Sequence, residues 1–277
     1  AGGVASKLLS DTQRDGYVTE VADEYTHVRD ARSGKAEKQL MTIEEARANY
    51  YDAYLSDKPA PPLEPGVHVY DDWDLEDLVD YIDWTPFYRA WGLHGAYPRI
   101  LDDEVVGESA RALKVDADGI RGIEPHIERF QADKDDYSDI MLKALADRFA
   151  EAFAERLHQH TRTTLWGYAP GEQLTNEALI KEEYRGIRPA PGYPACPDHS
   201  LKPILFELLD AEKNVDLTLT ESFAMWPTAA VSGFYFGHPE SQYFGVARIG
   251  RDQLEDYANR RGVDLATAER WLRPNLD

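Results

Sequence analysis

Residues 188–199 restrict the fold more than any other stretch of this chain, because they are incompatible with both a helix and a central strand. They read Arg-Pro-Ala-Pro-Gly-Tyr-Pro-Ala-Cys-Pro-Asp-His, with four prolines in twelve residues. Each proline fixes φ at about −65° and removes a backbone donor, whereas Gly192 permits a conformation that a Cβ would prevent. Arg188 adds a fixed cation, and Tyr193 adds an aromatic face with a hydroxyl. The stretch therefore predicts a rigid loop that cradles a ligand bearing a carboxylate or phosphate. A rigid connector is the alternative that composition leaves open.

The composition is that of a globular protein with a strong negative charge. The chain has 277 residues and 43% hydrophobic content, enough to bury a core in one large or two ordinary domains. Its net charge of −21 repels both nucleic acid and anionic membranes, so neither is expected as a partner. The single cysteine allows no internal disulfide, and no apolar run approaches the ~20 residues of a membrane span. These features, with no signal-peptide pattern at the start, favour the cytoplasm.

Hydrophobic spacing predicts a largely helical chain. The clearest helix is 138–158, where apolar residues recur every four positions at Met141, Leu145, Phe149, Phe153 and Leu157. Start signals predict further helices after Asp11 or Thr12, at a Thr42–Glu45 capping box, behind Asp83, over 200–214, over 252–261 and behind Asp264. A charged linker is predicted at 34–39 and a proline-rich arm at 59–65.

Two segments near the C-terminus have the composition of strands. Residues 230–237 and 243–249 are rich in aromatic and β-branched residues, and a Gly-His-Pro-Glu-Ser-Gln stretch separates them. This arrangement predicts an antiparallel hairpin.

Several motifs along the chain carry a resemblance to a known family. The proline-rich stretch is followed by Leu-Thr-Glu-Ser-Phe-Ala-Met-Trp-Pro at 219–227 and by the aromatic segment 231–249, and it is accompanied by Tyr-Ile-Asp-Trp-Thr-Pro-Phe at 81–87. Together they resemble the activation domain of cobalamin-dependent methionine synthase over nearly the whole chain. The resemblance implies an α+β fold, a twisted antiparallel sheet flanked by helices, preceded by an N-terminal helical linker segment. It assigns 1–40 to the tail of a cobalamin-binding domain and its linker, and 41–277 to the activation domain, shortened around 108–135.

The resemblance also implies a function. The chain would be a reactivation module that binds S-adenosylmethionine and supplies its methyl group for reductive methylation of cob(II)alamin to methylcobalamin during methionine biosynthesis. A flavodoxin-type donor would supply the electron, and the cobalamin-binding domain of the same enzyme would present the cobalamin. Positioning would suffice, so no catalytic side chain is expected. Because the shortened region contains only charged, weakly periodic sequence, the alternative is a non-catalytic docking and regulatory module that does not bind S-adenosylmethionine.

The resemblance assigns eight residues to the S-adenosylmethionine site. Arg188 would pair with the ligand carboxylate and Asp83 with its ammonium group, which agrees with charge complementarity. The remaining six are Glu151, Ala190, Gly192, Tyr193, Tyr243 and Phe244. The residues themselves leave simpler roles open: Asp83 is also suited to cap a helix, Glu151 is also typical of a solvated helical carboxylate, and Glu182 is placed to orient Arg188.

Two other chemistries receive little support from the sequence. Cys196 and His199 have a spacing that zinc ligands use, but no second cysteine exists and His158 and His160 point to different sides of a helix, so no metal site is expected. Glu151 and Glu155 lie one helical turn apart, as in an acidic hydrolase with paired carboxylates. This spacing is too common in helices to carry the hypothesis.

Overall fold

The computed structural model describes residues 2–10, 12–33, 40–52, 60–118, 129–130 and 132–276. The chain divides into two compact units, Ala1–Ala46 and Arg47–Asp277. The predicted cap at Asp11, the linker at 34–39, the start of the proline-rich arm at Pro59 and residues 119–128 of the shortened region lie outside the described residues. No helix within the described ranges is long and apolar enough to cross a membrane.

The first unit is helical. Helix α1 (Gly2–Leu9) packs against α2 (Arg14–Ser33), and the Lys7 ammonium lies 4.7 Å from the centroid of the Tyr17 ring. The predicted capping box precedes α3 (Ile43–Ala48): the Glu45 amide donates to the Thr42 hydroxyl at 3.2 Å, and the Thr42 amide donates to the Glu45 carboxylate at 2.8 Å. The predicted α2 and α3 helices are therefore confirmed.

The main core of the second unit forms around one long helix. Helix α4 (Trp84–Ala90) and α5 (Gly107–Asp118) pack against α6 (Asp136–His160), with 3-10 helices at Leu75–Tyr81 and Arg99–Asp102. Met141 and Leu145 on α6 are buried, and Phe149 and Phe153 pack against the same core. The apolar stripe predicted over 138–158 therefore faces the interior.

The start of the shortened region is more ordered than its sequence indicates. Residues from Glu108 onward have a charged, weakly periodic sequence, yet α5 buries Ala110, Leu113 and Ala117 in the main core. These residues recur at helical spacing, and the charged residues between them make that spacing weak in the sequence. This helix therefore supports the core.

The remaining elements of the second unit are short. They are α7 (Asn176–Ile180), α8 (Lys202–Leu209), α9 (Ala211–Val215), β1 (Thr218–Leu219), β2 (Met225–Trp226), α10 (Arg251–Arg261) and α11 (Leu265–Leu272). The helix predicted over 200–214 is interrupted at Asp210, which has a left-handed φ of 48°. The last two helices are confirmed, including the Asp264 cap, whose carboxylate accepts from the Thr267 amide at 2.9 Å.

The predicted hairpin was wrong, although the α+β class holds. Strands β1 and β2 pair antiparallel, with Thr218 opposite Trp226, and they form the only sheet in the described part of the chain. Phe236 bonds with Ile187 rather than with residues 243–249, and Val246 donates to Pro194. The prolines provide carbonyl acceptors without competing donors, so the proline-rich loop takes the hydrogen bonds that a hairpin would use. The larger twisted sheet flanked by helices is not confirmed.

Candidate functional site

The proline-rich stretch 188–199, called here the cradle, lies between two extended segments. Ile187 and Phe236 exchange both backbone hydrogen bonds, at 3.0 and 2.9 Å, and the Phe234 amide donates to the Pro189 carbonyl at 2.9 Å. Further along the cradle, the Val246 amide donates to the Pro194 carbonyl at 2.7 Å. Both neighbouring segments therefore hold the loop through its main chain.

A tight turn forms the centre of the cradle. The Tyr193 amide donates to the Ala190 carbonyl at 3.2 Å, and the Gly192 amide donates to the Cys196 carbonyl at 2.7 Å. Gly192 has a φ of +99°, and a Cβ there would lie 2.6 Å from both ring nitrogens of His199. Glycine is required at this position because the imidazole packs directly against the backbone.

The cradle keeps polar and aromatic groups available to a ligand. Among the described residues, the Ala190 amide and the Gly192 carbonyl make no backbone hydrogen bond. The rings of Tyr193 and Phe244 are exposed, and Tyr243 is partly exposed. The loop therefore offers a backbone donor, a backbone acceptor and exposed aromatic rings, groups that suit a purine ring.

Arg188 is fixed through both its main chain and its side chain. Its amide donates to the Tyr243 hydroxyl at 2.9 Å, and its Nη1 lies 2.7 Å from Glu155 Oε2. The side chain is nevertheless 24% exposed. The side chain is thus anchored from the interior and partly exposed, and a guanidinium is the group best suited to bind a carboxylate.

Arg188 is the outer member of a buried charge chain that continues through Glu155 and Arg162 to Glu172. Arg162 is fully buried; its Nε and Nη2 donate to the two carboxylate oxygens of Glu172 at 2.8 and 2.6 Å, and its Nη1 lies 3.9 Å from Glu155 Oε1. Its guanidinium also lies 4.1 Å from the centroid of the Tyr184 ring. The four charges alternate in sign, so each inner member has an opposite charge on both sides.

The local backbone places Arg162 in this chain. Helix α6 continues into a π-helical turn at Thr161–Leu165, in which the Trp166 amide donates to the Thr161 carbonyl at 2.8 Å. A π turn changes the direction in which successive side chains leave the helix.

Burial raises the pKa of Glu155, and the guanidinium groups of Arg188 and Arg162 oppose that rise.

The predicted ligand residues are only partly brought together. Arg188, Ala190, Gly192 and Tyr193 lie in the cradle, and Tyr243 contacts its start. The Phe244 ring is 68% exposed beside Tyr243.

Asp83 and Glu151 lie outside the cradle. Asp83 caps α4, accepting from the Thr85 amide at 3.0 Å, which confirms its structural role. Glu151 is half-buried on α6, one turn before Glu155. The ligand-binding roles of both residues remain predictions.

Sequence reasoning missed the partner of Arg188. The structure pairs Arg188 with Glu155 rather than with Glu182. Since Glu155 is engaged by two guanidinium groups, it is not free to act with Glu151 as a hydrolytic pair. The spacing of Glu155 from Glu151 places both on one face of α6 and could be seen in the sequence, but this spacing does not identify Arg188 as the partner.

The part of the chain that the structure describes has no group of three potential metal ligands.

His158 lies beside the buried charge chain and predicts a pH dependence of stability. Its imidazole is fully buried and stacks on Tyr235, with centroids 4.5 Å apart and an interplanar angle of 16°. Burial, together with the positive charges of Arg162 and Arg188, lowers the pKa of His158 from 6.5 to about 2. The folded state therefore holds this ring neutral, while the unfolded chain takes up a proton below pH 6.5.

His158→Phe is expected to remove that dependence while keeping an aromatic ring against Tyr235. Because the folded pKa is depressed, stability from the neutral histidine is lost as pH falls from the unfolded value of 6.5 toward about 2. Between about pH 7 and about pH 5.5, the wild-type chain should lose about 1 kcal/mol more unfolding free energy than the variant. Urea titrations at both pH values measure this difference. Equal losses would show that the folded chain protonates His158 over the same pH range as the unfolded chain, and the ring would then not be held neutral.

The cradle, the partly exposed Arg188 side chain and the exposed aromatic rings are suited to bind a small molecule with a carboxylate and a flat polar ring. Comparison with known proteins identifies the family. The family described as "Vitamin B12 dependent methionine synthase, activation domain" matches residues 74–121 and 118–262. A solved structure, the crystal structure of the MetH reactivation domain bound to AdoHcy, is 40% identical with a TM-score of 0.80, over 85% of this chain and 98% of that chain. This chain belongs to the activation-domain family of vitamin B12-dependent methionine synthase.

The extent of the match bears on the shortened region. The two matched stretches meet at 118–121, within the 108–135 region that the sequence indicates is shortened. The family match includes the cradle and every residue assigned to the ligand site.

Proposed function

We propose that this chain is the reactivation module of a cobalamin-dependent methionine synthase and that it binds S-adenosylmethionine in the cradle. Residues 1–40 are the tail of a cobalamin-binding domain and its linker, and 41–277 are the activation domain. The observation that carries the proposal is the anchored and partly exposed side chain of Arg188 at the start of the cradle. The similar MetH domain, which was crystallised with AdoHcy, supports the same ligand class.

The residues present fit each part of the ligand. The guanidinium of Arg188 suits the carboxylate, and the carboxylates of Asp83 and Glu151 suit the ammonium group. The Ala190 amide and the Gly192 carbonyl suit the polar edge of adenine. Tyr193, Tyr243 and Phe244 supply rings that stack on it or close the pocket.

The protein contributes binding and orientation. Bound S-adenosylmethionine supplies an electrophilic methyl group for reductive methylation of cob(II)alamin, which a separate cobalamin-binding domain presents while a flavodoxin-type donor provides the electron. Arg188 fixes the carboxylate end, and the cradle backbone fixes the adenosine end. Holding both ends limits where the methyl group can lie, so orientation rather than acid–base catalysis lowers the barrier.

The docking-only alternative is not favoured. It depends on a pocket weakened by the shortened region, yet α5 packs in the main core at the start of that region. The cradle is also held by backbone hydrogen bonds to its neighbouring segments, and Arg188 forms its ion pair with Glu155.

Titration calorimetry with S-adenosylmethionine tests the proposal. The wild-type chain should bind at one site, and Arg188→Ala should weaken binding at least tenfold, about 1.4 kcal/mol, because the ligand carboxylate loses its cation. Arg260→Ala is the matched control, since Arg260 is an exposed arginine paired with Asp256 on α10 and its loss should not change the affinity. Absence of binding by the folded wild-type chain, or equal binding by Arg188→Ala, would contradict the proposed function.

A further inference from the structure

We infer that Glu155 is a positioning residue for the ligand carboxylate: it holds the guanidinium of Arg188 in its binding orientation, and Arg162 and Glu172 hold Glu155 in place. This inference rests on the proposed function. It assigns a binding role to a carboxylate that lies beneath the cradle, one helical turn from Glu151.

Glu155 has a fixed position in the fold, whereas the Arg188 side chain would be free to rotate without an ion-pair partner. Glu155 is on the long helix α6, whose apolar stripe lies in the main core, and its side chain is 8% exposed. Arg188 is on a loop, and its side chain has several rotatable bonds whose freedom is costly to lose on binding. The 2.7 Å ion pair removes much of that freedom before a ligand arrives, so less is lost during binding.

The inner half of the chain keeps the Glu155 carboxylate from turning away. One of its oxygens is bound to Arg188, and the other lies 3.9 Å from the Nη1 of Arg162. Arg162 cannot follow a moving partner because both carboxylate oxygens of Glu172 bind it. Glu155, which is held in the interior, therefore restricts the motion of the Arg188 guanidinium, whose side chain is partly exposed.

A structural role and a positioning role predict different ligand selectivities. If Glu155 only stabilises the fold, its loss should weaken all ligands of the cradle alike. If it positions Arg188, its loss should weaken only ligands that carry the carboxylate. S-Adenosylhomocysteine carries the amino-acid carboxylate and ammonium, whereas 5′-methylthioadenosine shares the adenosine and the thioether but lacks both groups. The Arg188→Ala background described below then separates an effect on the carboxylate from one on the ammonium.

The experiment compares the dissociation constants of these two ligands for the wild-type chain, Glu155→Gln, Glu155→Asp and Glu172→Gln. Glu155→Gln should weaken S-adenosylhomocysteine about tenfold and 5′-methylthioadenosine less than twofold, and Glu155→Asp should recover part of the loss. Glu172→Gln removes the same charge from the same buried chain but leaves the Arg188–Glu155 pair, so it should lower the melting temperature and weaken S-adenosylhomocysteine less than Glu155→Gln does. The matched control is a further variant, Glu177→Gln, because Glu177 is an exposed glutamate paired with Lys181, and it should keep the ratio of the two constants.

A double variant tests whether Glu155 acts through Arg188. In an Arg188→Ala background, Glu155→Gln should cause no further loss of S-adenosylhomocysteine affinity. An unchanged ratio in Glu155→Gln, or an equal loss in the Arg188→Ala background, would overturn the inference while leaving the proposed function intact. Failure of the wild-type chain to bind S-adenosylhomocysteine would instead overturn both.

A measurement on the wild-type chain keeps the test independent of how the variants fold. In nitrogen-15 spectra of the ligand-free protein, the guanidinium of Arg188 should give separate Nη resonances, because its ion pair with Glu155 prevents rotation. Averaged Nη resonances would show a rotating group and would overturn the inference.

Discussion

Arg162→Met should destabilise the folded chain by about 3–5 kcal/mol, the usual cost of removing one partner from a buried ion pair. Arg162 is fully buried, binds both oxygens of Glu172 and lies 3.9 Å from Glu155. Methionine keeps much of the side-chain volume, so the expected loss comes from the two carboxylates rather than from a cavity. With Arg162 gone, Glu172 would be buried without its cation and Glu155 would keep only Arg188.

Arg251→Met is the matched control for this measurement. Arg251 also contacts two carboxylates, those of Glu255 and Glu269, but its side chain is 60% exposed. An exposed pair contributes little because water already solvates both charges, so the control should cost far less unfolding free energy than Arg162→Met. Urea unfolding of the three proteins gives both values. Equal costs at the two sites would show that water reaches Arg162 and that the charge chain is not buried.

The sequence predicts the helices well because their signals are local. The apolar spacing at 138–158 corresponds to α6 at Asp136–His160, and the caps at Thr42, Asp83 and Asp264 all form. A cap depends on residues two or three positions away, and an apolar stripe depends on residues one turn apart. Neither requires knowledge of what packs against the element.

The partners of the extended segments could not be predicted in the same way. Residues 230–237 have the composition of a strand, but composition does not select between residues 243–249 and the cradle as a partner. The structure pairs Phe234 and Phe236 with Pro189 and Ile187, across about fifty residues of chain. That choice satisfies main-chain groups of Ile187 and Pro189, which are distant in sequence and therefore not visible in the local composition.

Some residues of the candidate site can be recognised from local sequence, and others cannot. The cradle and Arg188 stand out because four prolines, a glycine and an arginine occur together. Glu155 and Arg162 do not stand out among 51 acidic and 30 basic residues. The ion pair of Glu155 with Arg188 is visible only once α6 and the cradle are placed side by side. Local composition can indicate a binding loop, but not the buried charges that orient it.

Gly192→Ala should reduce S-adenosylhomocysteine affinity at least tenfold and destabilise the chain by about 2–4 kcal/mol. Two effects add: an L-residue is strained at a φ of +99°, and the new Cβ would lie 2.6 Å from both ring nitrogens of His199. Rotation of the exposed His199 ring can relieve the clash but not the backbone strain, and relief of that strain moves the turn that carries the Ala190 amide and the Tyr193 ring, which the ligand is proposed to contact. Calorimetry and urea unfolding measure the two losses.

Two further variants separate the strain from the clash. Gly92→Ala is the control for backbone conformation alone, because Gly92 has a φ of +74° and no atom within 4 Å of an added Cβ. It should cost about 1 kcal/mol and leave ligand affinity unchanged. Adding His199→Ala to Gly192→Ala removes the ring and should recover part of the lost stability, which identifies the imidazole as the reason for glycine at this position. Wild-type affinity in Gly192→Ala would mean that the turn moves without disturbing the ligand, and the cradle would then not be the binding surface.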